Sequence, residues 1–212
     1  MLPKRKAYIT KLFIISWLII FILDISLFTK ASSPSDWILN ILWNSHGHLS
    51  DLLALIPVRL ANYEYWRIIS YAFIHFGIIH IVGNILLISF VGNVLESKIS
   101  VIDFLIPVFL GDIIAGIGCM VFVNFDHAYI NGSSPGIYAL YGVLVSNLYF
   151  RKIKSSVYMS ATARNRIIVI LLAVNFLGAD TFVIHAIGFV VGLVCGFIQV
   201  KCNRVFKEME DI

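Results

Sequence analysis

Charged residues are scarce in this sequence. Asp, Glu, Lys and Arg make up only 13% of its 212 residues, whereas a soluble domain has about 25%. The apolar residues, 59% of the chain, come in long blocks rather than at the spacing of an amphipathic helix. Because about 30 Å of hydrocarbon needs roughly 20 helical residues, blocks of about 18 or more are typical of membrane spans. The composition therefore excludes an ordinary soluble domain and predicts an all-α integral membrane protein.

Cysteine is also sparse. Cys119, Cys195 and Cys202 lie in or beside apolar blocks, without the paired spacing of a disulfide framework. This pattern argues against a disulfide-dense domain and predicts three small apolar helix residues. The sequence also lacks a His-Glu-x-x-His motif and any cysteine-rich metal motif. We therefore predict neither a metal nor a cofactor.

Six apolar blocks indicate six membrane spans. They are Leu12–Phe28, Ile78–Leu95, Val101–Val123, Ser134–Phe150, Ile167–Gly178 and Thr181–Val200. The fifth is short, and only Ala179 and Asp180 separate it from the sixth. This division predicts a cytoplasmic tail at 1–11, a membrane domain at 12–200 and a second cytoplasmic tail at 201–212.

The basic residues predict an orientation. With both termini in the cytoplasm, all 16 Lys and Arg residues except Lys30, Arg59 and Arg67 lie on the inner side. Since Lys and Arg prefer cytoplasmic loops, the net charge of +4 indicates topology and not a nucleic-acid partner. We expect a multi-pass protein of a bacterial cytoplasmic membrane, because no organellar targeting segment is visible.

The connection from Thr29 to Tyr65 is long and unusually apolar. Asp36–Trp43 and Leu49–Leu55 resemble short amphipathic helices. Tryptophans such as Trp37 suit the headgroup level, where one ring meets both lipid and water. We expect this first loop to lie in the outer interface.

Ser134 stands at the outer start of the fourth span, in Gly132-Ser-Ser134-Pro135-Gly136. One interpretation is a helix N-cap followed by a proline, which is well placed in a first turn. The other is a nucleophile. The string also fits the Gly-x-Ser-x-Gly elbow, but that motif requires a strand before its helix, and this chain offers none.

His185, in the sixth span, shares one helix face with three glycines. Gly188, Gly192 and Gly196 follow it by three, seven and eleven residues. Such glycines let another helix approach closely, so the imidazole is expected to face that partner helix. By the predicted topology Ser134 and His185 lie at the same depth in the membrane. A histidine with a purely structural role would not need to share the depth of Ser134.

His80 and Asn84 lie one helical turn apart near the outer end of the second span, and His75 precedes them. Their N–H groups are suited to stabilising an oxyanion. A metal site is the alternative, but no third ligand is evident. Together with Ser134 and His185, these residues predict acyl transfer by a Ser-His dyad, with His185 as base and the Ser134 N–H as a further oxyanion donor.

These residues resemble a known family, the rhomboid intramembrane serine proteases. The matching motifs, from about Tyr65 to Gly196, are Glu64-Tyr-Trp66-Arg67 with Ser70 and Tyr71, His75-x4-His80-x3-Asn84, Gly92-x3-Glu96, Gly132-x-Ser134 with Tyr138-Ala-Leu-Tyr141-Gly142, and His185-x2-Gly188-x3-Gly192. The resemblance implies a six-transmembrane-helix rhomboid-like bundle with a membrane-embedded first extracellular loop. It implies catalysis by Ser134 and His185, oxyanion roles for His80 and Asn84, and packing roles for Trp66-Arg67 and Gly92/Glu96. It also implies substrate access near the fifth span and single-span membrane proteins as substrates.

Proline at position 135 departs from the family, which usually has glycine after the nucleophile. The expected backbone donor is Ser134 itself, so the missing proline N–H does not exclude activity. Ser133 is an alternative nucleophile, but the spacing to Tyr138 and Gly142 favours Ser134.

Other assignments stay open at this point. We expect His75 and Tyr138 to support the site, Tyr138 because it follows Ser134 by one helical turn; Tyr141 is its alternative. Asp24 and Asp112 have no assigned role beyond a local polar contact. An inactive rhomboid-like protein that binds membrane clients and a small transporter are the competing functions.

Overall fold

The computed structural model describes residues 7–26, 33–43, 47–122, 129–150, 162 and 179–202, and these residues are mainly helical. In chain order the helices are α1 (Tyr8–Ser26), α2 (Pro34–Trp43), α3 (His48–Leu53), α4 (Pro57–Leu60), α5 (Arg67–Ser70), α6 (Ile78–Leu95), α7 (Val101–Phe122), α8 (Ser134–Phe150) and α9 (Ala179–Lys201), with a 3-10 turn at Tyr71–Phe73.

Four helices in the described part of the chain are long and apolar enough to cross a bilayer. Their spanning windows are Tyr8–Ile25, Ile78–Leu95, Val101–Met120 and Phe182–Lys201. Side chains such as Ile19, Val82 and Ile102 are exposed on these helices, as expected where lipid rather than protein covers the surface. The prediction of an all-helical membrane protein is confirmed.

The predicted block boundaries agree with the helices at most places. α6 and α8 begin and end at the predicted residues, and α7 begins at the predicted Val101. The predicted end of that block, Val123, lies outside the described residues. The predicted fifth block, Ile167–Gly178, lies outside the described residues. α1 begins at Tyr8 rather than Leu12. This difference has a physical cause, because the Glu96 carboxylate accepts the N–H groups of Ile9 at 2.6 Å and Thr10 at 3.0 Å and so caps the first turn.

Helix α8 lies at the centre of the bundle. Every residue from Ser134 to Leu144 is buried, and the helix packs against α6, α7 and α9. An apolar helix that is buried all round needs small residues where its neighbours approach. Gly142 supplies one such place, since a Cβ there would lie 2.6 Å from the Leu193 nitrogen of α9.

The first loop contains α2 to α4 and is held by a buried arginine that begins α5 just after it. Arg67 donates to the backbone carbonyls of Ala54 at 2.7 Å and Asp51 at 2.9 Å. It also pairs with Glu64, with 2.5 Å between Nη2 and Oε2. Charged donors that are buried require such partners, so the guanidinium fixes the loop's fold. The packing role implied for Arg67 is consistent with these contacts.

The first loop also pairs with the segment that precedes Ser134. Leu55 and Ile130 exchange two backbone hydrogen bonds of 3.0 and 2.9 Å as an isolated antiparallel bridge. Two residues further on, the Gly132 N–H donates to the Tyr71 carbonyl at 2.9 Å. The chain therefore enters α8 along a path fixed by the loop and not by the spanning helices alone.

Candidate active site

Ser134 and His185 meet in a buried position. The imidazole Nε2 of His185 lies 2.9 Å from the Ser134 hydroxyl oxygen, which is hydrogen-bond distance. The two residues are 51 positions apart, and one begins α8 while the other lies in α9. Ser134 is 9% exposed and His185 4%. A neutral imidazole that contacts a hydroxyl in this way has the geometry of a general base beside its nucleophile.

The glycine face of α9 makes this contact possible. A Cβ on Gly188 would collide with the Pro135 backbone, and one on Gly192 with the Ala139 carbonyl. At Gly196 the Cβ would stand 2.6 Å from the Ser146 Cβ. The two helices thus approach almost backbone to backbone along the face that begins with His185. The structure brings together the elements that the glycine spacing predicts.

Tyr138 lies flat against the imidazole of His185. The two rings are stacked, with centroids 4.2 Å apart and planes only 3° from parallel. Tyr141, the alternative support, turns away and donates its hydroxyl to the Leu87 carbonyl at 3.1 Å. Because stacked rings restrict each other's rotation, this contact favours the orientation in which His185 faces Ser134.

The adjacent serine faces another element. Ser133 donates its hydroxyl to the Asp112 carboxylate of α7 at 2.7 Å. The same carboxylate accepts the Gly136 N–H at 2.8 Å. Of the two serines, Ser134 is therefore the one for which the structure gives a histidine contact.

His80 and Asn84 lie beside the backbone that leads to Ser134. Gly132 has a positive φ of 89°, and a Cβ there would be 2.7 Å from His80 Nε2 and 3.1 Å from Asn84 Nδ2. Only glycine combines that dihedral with so close an approach. The buried Asn84 Nδ2 has no hydrogen-bond partner among the described residues. An open amide donor beside the backbone that leads to Ser134 is a group that an oxyanion could use.

His75 lies in the loop before α6 and does not contact the Ser134–His185 pair directly. Its ring lies between Trp17, at 5.1 Å, and His80, at 5.2 Å between centroids. Burial lowers the pKa of His75 well below its usual value, and the neighbouring His80 lowers it further, so that the ring stays neutral at neutral pH. The ring contact that links His75 to the predicted site is therefore the one with His80.

Asn131 is a residue that sequence reasoning missed. Its side-chain oxygen accepts the Phe76 N–H at 3.1 Å, and its side chain also forms a hydrogen bond with His80. It therefore ties the segment before Ser134 to the turn that precedes α6. The only signal in the sequence is its position next to Gly132, which does not by itself predict either partner.

Comparison with known proteins identifies the family. A Rhomboid domain profile matches residues 62–202 of this chain. The chain is 26% identical over 147 residues to "Putative rhomboid protease YdcA" of Bacillus subtilis, which covers 67% of this chain and 71% of that protein.

Two eukaryotic relatives are longer. Similarity to "RHOMBOID-like protein 4" of Arabidopsis thaliana is 28% over 145 residues, covering 64% of this chain and 34% of that protein. Similarity to "Rhomboid-related protein 1" of Caenorhabditis elegans is 30% over 105 residues, covering 49% and 28%. The family profile covers well over half of the sequence and includes both Ser134 and His185. This chain belongs to the rhomboid family.

Proposed function

We propose that this protein is an intramembrane serine endopeptidase that hydrolyses peptide bonds in or near the transmembrane segments of single-span membrane proteins. The observation that carries the proposal is the 2.9 Å contact between Ser134 Oγ and His185 Nε2. A hydroxyl is a weak nucleophile until an adjacent base takes its proton. In this proposal Ser134 is the nucleophile and His185 is that base.

The first chemical step is acylation of Ser134. His185 removes the hydroxyl proton as Oγ attacks the carbonyl carbon of the scissile peptide bond. The carbonyl oxygen becomes an oxyanion, and the tetrahedral intermediate collapses when His185 gives its proton to the leaving amine. Water, activated by the same imidazole, then attacks the acyl-enzyme and releases the second product with regeneration of Ser134. The stacked Tyr138 keeps the imidazole in position through both steps.

The backbone of the first turn of α8 supports an oxyanion role for the Ser134 N–H. Pro135 has no N–H, the Gly136 N–H donates to Asp112, and the Ile137 N–H donates to the Ser133 carbonyl at 3.0 Å. Among the described residues, the Ser134 N–H is therefore the one backbone donor of this turn without a hydrogen-bond acceptor. Asn84 Nδ2 and His80 are the proposed side-chain donors. Pro135 lacks a backbone N–H, but the proposed oxyanion site does not use a donor at that position.

The membrane arrangement is part of the proposal. Six spans, with tails at 1–11 and 201–212 in the cytoplasm, would put Ser134 near the outer face. The exposed aromatic side chains Trp37, Trp43 and Tyr65 of the first loop then suit the outer interface. Substrate would reach the site from the lipid near the fifth span. The distribution of basic residues favours this orientation, and a bacterial cell membrane is the proposed location.

The alternative is a rhomboid-like protein that binds membrane clients without cutting them. A cleavage assay with the purified full-length chain separates the two. The substrate is a single-span reporter protein in the same detergent or bilayer. Ser134→Ala should reduce the rate to less than about one thousandth of the wild-type value, because it removes the attacking atom.

Ser146→Ala is the matched control. Ser146 is also a buried serine of α8 that bonds to α9, through a 2.7 Å contact between its hydroxyl and the Leu193 carbonyl. Its loss should cost about 1 kcal/mol of stability and leave cleavage unchanged. Absence of wild-type cleavage would reject the protease in favour of the client-binding alternative. Equal cleavage by Ser134→Ala would exclude Ser134 as the nucleophile.

A further inference from the structure

Asp112 is a buried carboxylate in the middle of α7 and is 2% exposed. An ionisable group at such a position costs several kcal/mol unless it is well paired. Its two oxygens have different partners. Oδ2 accepts the Ser133 hydroxyl at 2.7 Å, and Oδ1 accepts the Gly136 N–H at 2.8 Å.

These two partners flank the proposed nucleophile. Ser133 precedes Ser134 by one residue, and Gly136 follows it by two, with Pro135 between. The ring of Pro135 fixes one φ inside the turn. One carboxylate therefore holds the nucleophile's turn at both of its ends, from a different helix.

Ser133 does not cap its own helix with its side chain. A serine before a helix commonly accepts an N–H of the first turn. Here the Ser133 hydroxyl donates to Asp112, and the carboxylate takes the place of the cap. The carboxyl group also lies at the positive end of the α8 dipole, which favours negative charge there.

The position of Asp112 is itself fixed by a third element. The Tyr71 hydroxyl donates to the Asp112 backbone carbonyl at 2.6 Å. Gly136 gives the carboxylate room, since a Cβ there would lie 2.7 Å from Asp112 Oδ2 and 2.7 Å from the Val108 carbonyl. The approach of α7 to the first turn of α8 thus requires both the glycine and the acid.

We propose that Asp112 is a positioning residue for the Ser134 nucleophile: its carboxylate holds Ser133 and Gly136 so that the Ser134 hydroxyl faces His185 and its N–H stays open. This rests on the proposed function of Ser134. Asp112 contacts neither Ser134 Oγ nor the imidazole in the described contacts, so its effect passes through the turn. Displacement of a reacting group by about 1 Å costs on the order of 100-fold in rate.

The test measures two quantities on the full-length chain, namely the rate of fluorophosphonate labelling and the kcat and KM of reporter cleavage. Asp112→Leu removes both acceptors and should lower labelling and kcat by about 100-fold. KM should not change, because Asp112 is not expected to touch substrate. Asp112→Asn should retain rates within about threefold, since its carbonyl accepts the Gly136 N–H while its NH₂ donates to the Ser133 oxygen.

Asp24→Leu is the matched control. Asp24 is equally buried, and it accepts the Ser50 N–H at 3.0 Å and the Ser50 hydroxyl, so that it caps α3 as Asp112 caps α8. Its loss should lower the melting temperature but leave the labelling rate per folded molecule unchanged. Equal rates for Asp112→Leu and Asp24→Leu would overturn the positioning role and leave the protease proposal intact.

Ser133→Ala keeps the proposal testable if Asp112→Leu does not fold. It deletes one of the two contacts to the Asp112 carboxyl group and should slow labelling by about tenfold. Labelling at the wild-type rate would contradict the inference. A wild-type chain that does not react at all refutes the proposed function, and the positioning role with it.

Discussion

At the scale of single residues, the site depends on donors that the fold leaves open. The side-chain amide nitrogen of Asn84 is buried without a partner among the described residues. Such a group is costly to a folded protein unless it has another use. In the proposed function that use is hydrogen bonding to the oxyanion, because Asn84 lies beside Gly132 in the segment that leads to Ser134. In this proposal function, and not stability, explains why an amide stands there.

Asn84→Ala tests this separation. It should lower kcat by about 100-fold, the usual effect of losing one oxyanion donor. The melting temperature should change little, because no hydrogen bond from Nδ2 is lost. Steady-state cleavage measures the change in kcat, and thermal unfolding of the same preparation measures the change in melting temperature. A large loss of stability with unchanged kcat would mean that Asn84 is a packing residue.

At the scale of elements, the approach of α8 and α9 is the feature that creates the site. The two helices meet where the glycines of α9 leave no side chain between the backbones. Packing of this kind is specific to one register, because a Cβ at any of these places meets backbone atoms that cannot rotate away. His185 and Ser134 are brought together by the same contact that holds the bundle.

Gly192→Ala should therefore damage both stability and chemistry. The new methyl group would press on the Ala139 carbonyl, and overpacking of this kind costs about 1–3 kcal/mol. The helices must separate, so the labelling rate of Ser134 should also fall.

Gly83→Ala, in α6, is the control, because a Cβ there meets nothing within 4 Å. It should be neutral or stabilise by up to about 1 kcal/mol, since alanine favours a helix over glycine. Thermal unfolding and fluorophosphonate labelling of both variants give the comparison. If the two variants had similar melting temperatures and labelling rates, close contact between α8 and α9 would not be what sets stability and reactivity.

Much of this element structure could be predicted because it follows from local pattern. Apolar length sets the ends of α6 and α8, and the glycine period marks the face of α9 that meets a partner. The start of α1 could not be predicted, because its cap is the Glu96 carboxylate, 86 residues away from Thr10. The roles of Asp112 and Asn131 were missed for the same reason. Their partners are neighbours in space that no spacing in the sequence reveals.

At the scale of the whole molecule, carboxylates join helices that are distant in sequence. Glu96 at the end of α6 accepts the Ile9 N–H, the Thr10 N–H and the Thr10 hydroxyl, the last at 2.8 Å. Gly92 makes this possible, because a Cβ there would collide with the Thr10 hydroxyl. The Gly92-x3-Glu96 motif therefore fastens the start of α1 to α6, far from the proposed chemistry.

Glu96→Leu should destabilise the bundle without altering the reactive serine. Buried donors left without a partner cost about 1–3 kcal/mol each, so the melting temperature should drop clearly. The labelling rate per folded molecule should equal that of the wild type, because α1 does not contact Ser134 in the described structure. Loss of labelling in the fraction that remains folded would contradict this division between stability and chemistry.

The central claim is that Ser134 is a nucleophile activated by His185. The most direct measurement is the site of the covalent adduct after reaction with a fluorophosphonate, mapped by peptide mass spectrometry. We predict a single adduct on Ser134 in the wild type, and none on that residue in His185→Ala under the same conditions. An adduct on Ser133, an undiminished adduct in His185→Ala, or no adduct at all would contradict the account.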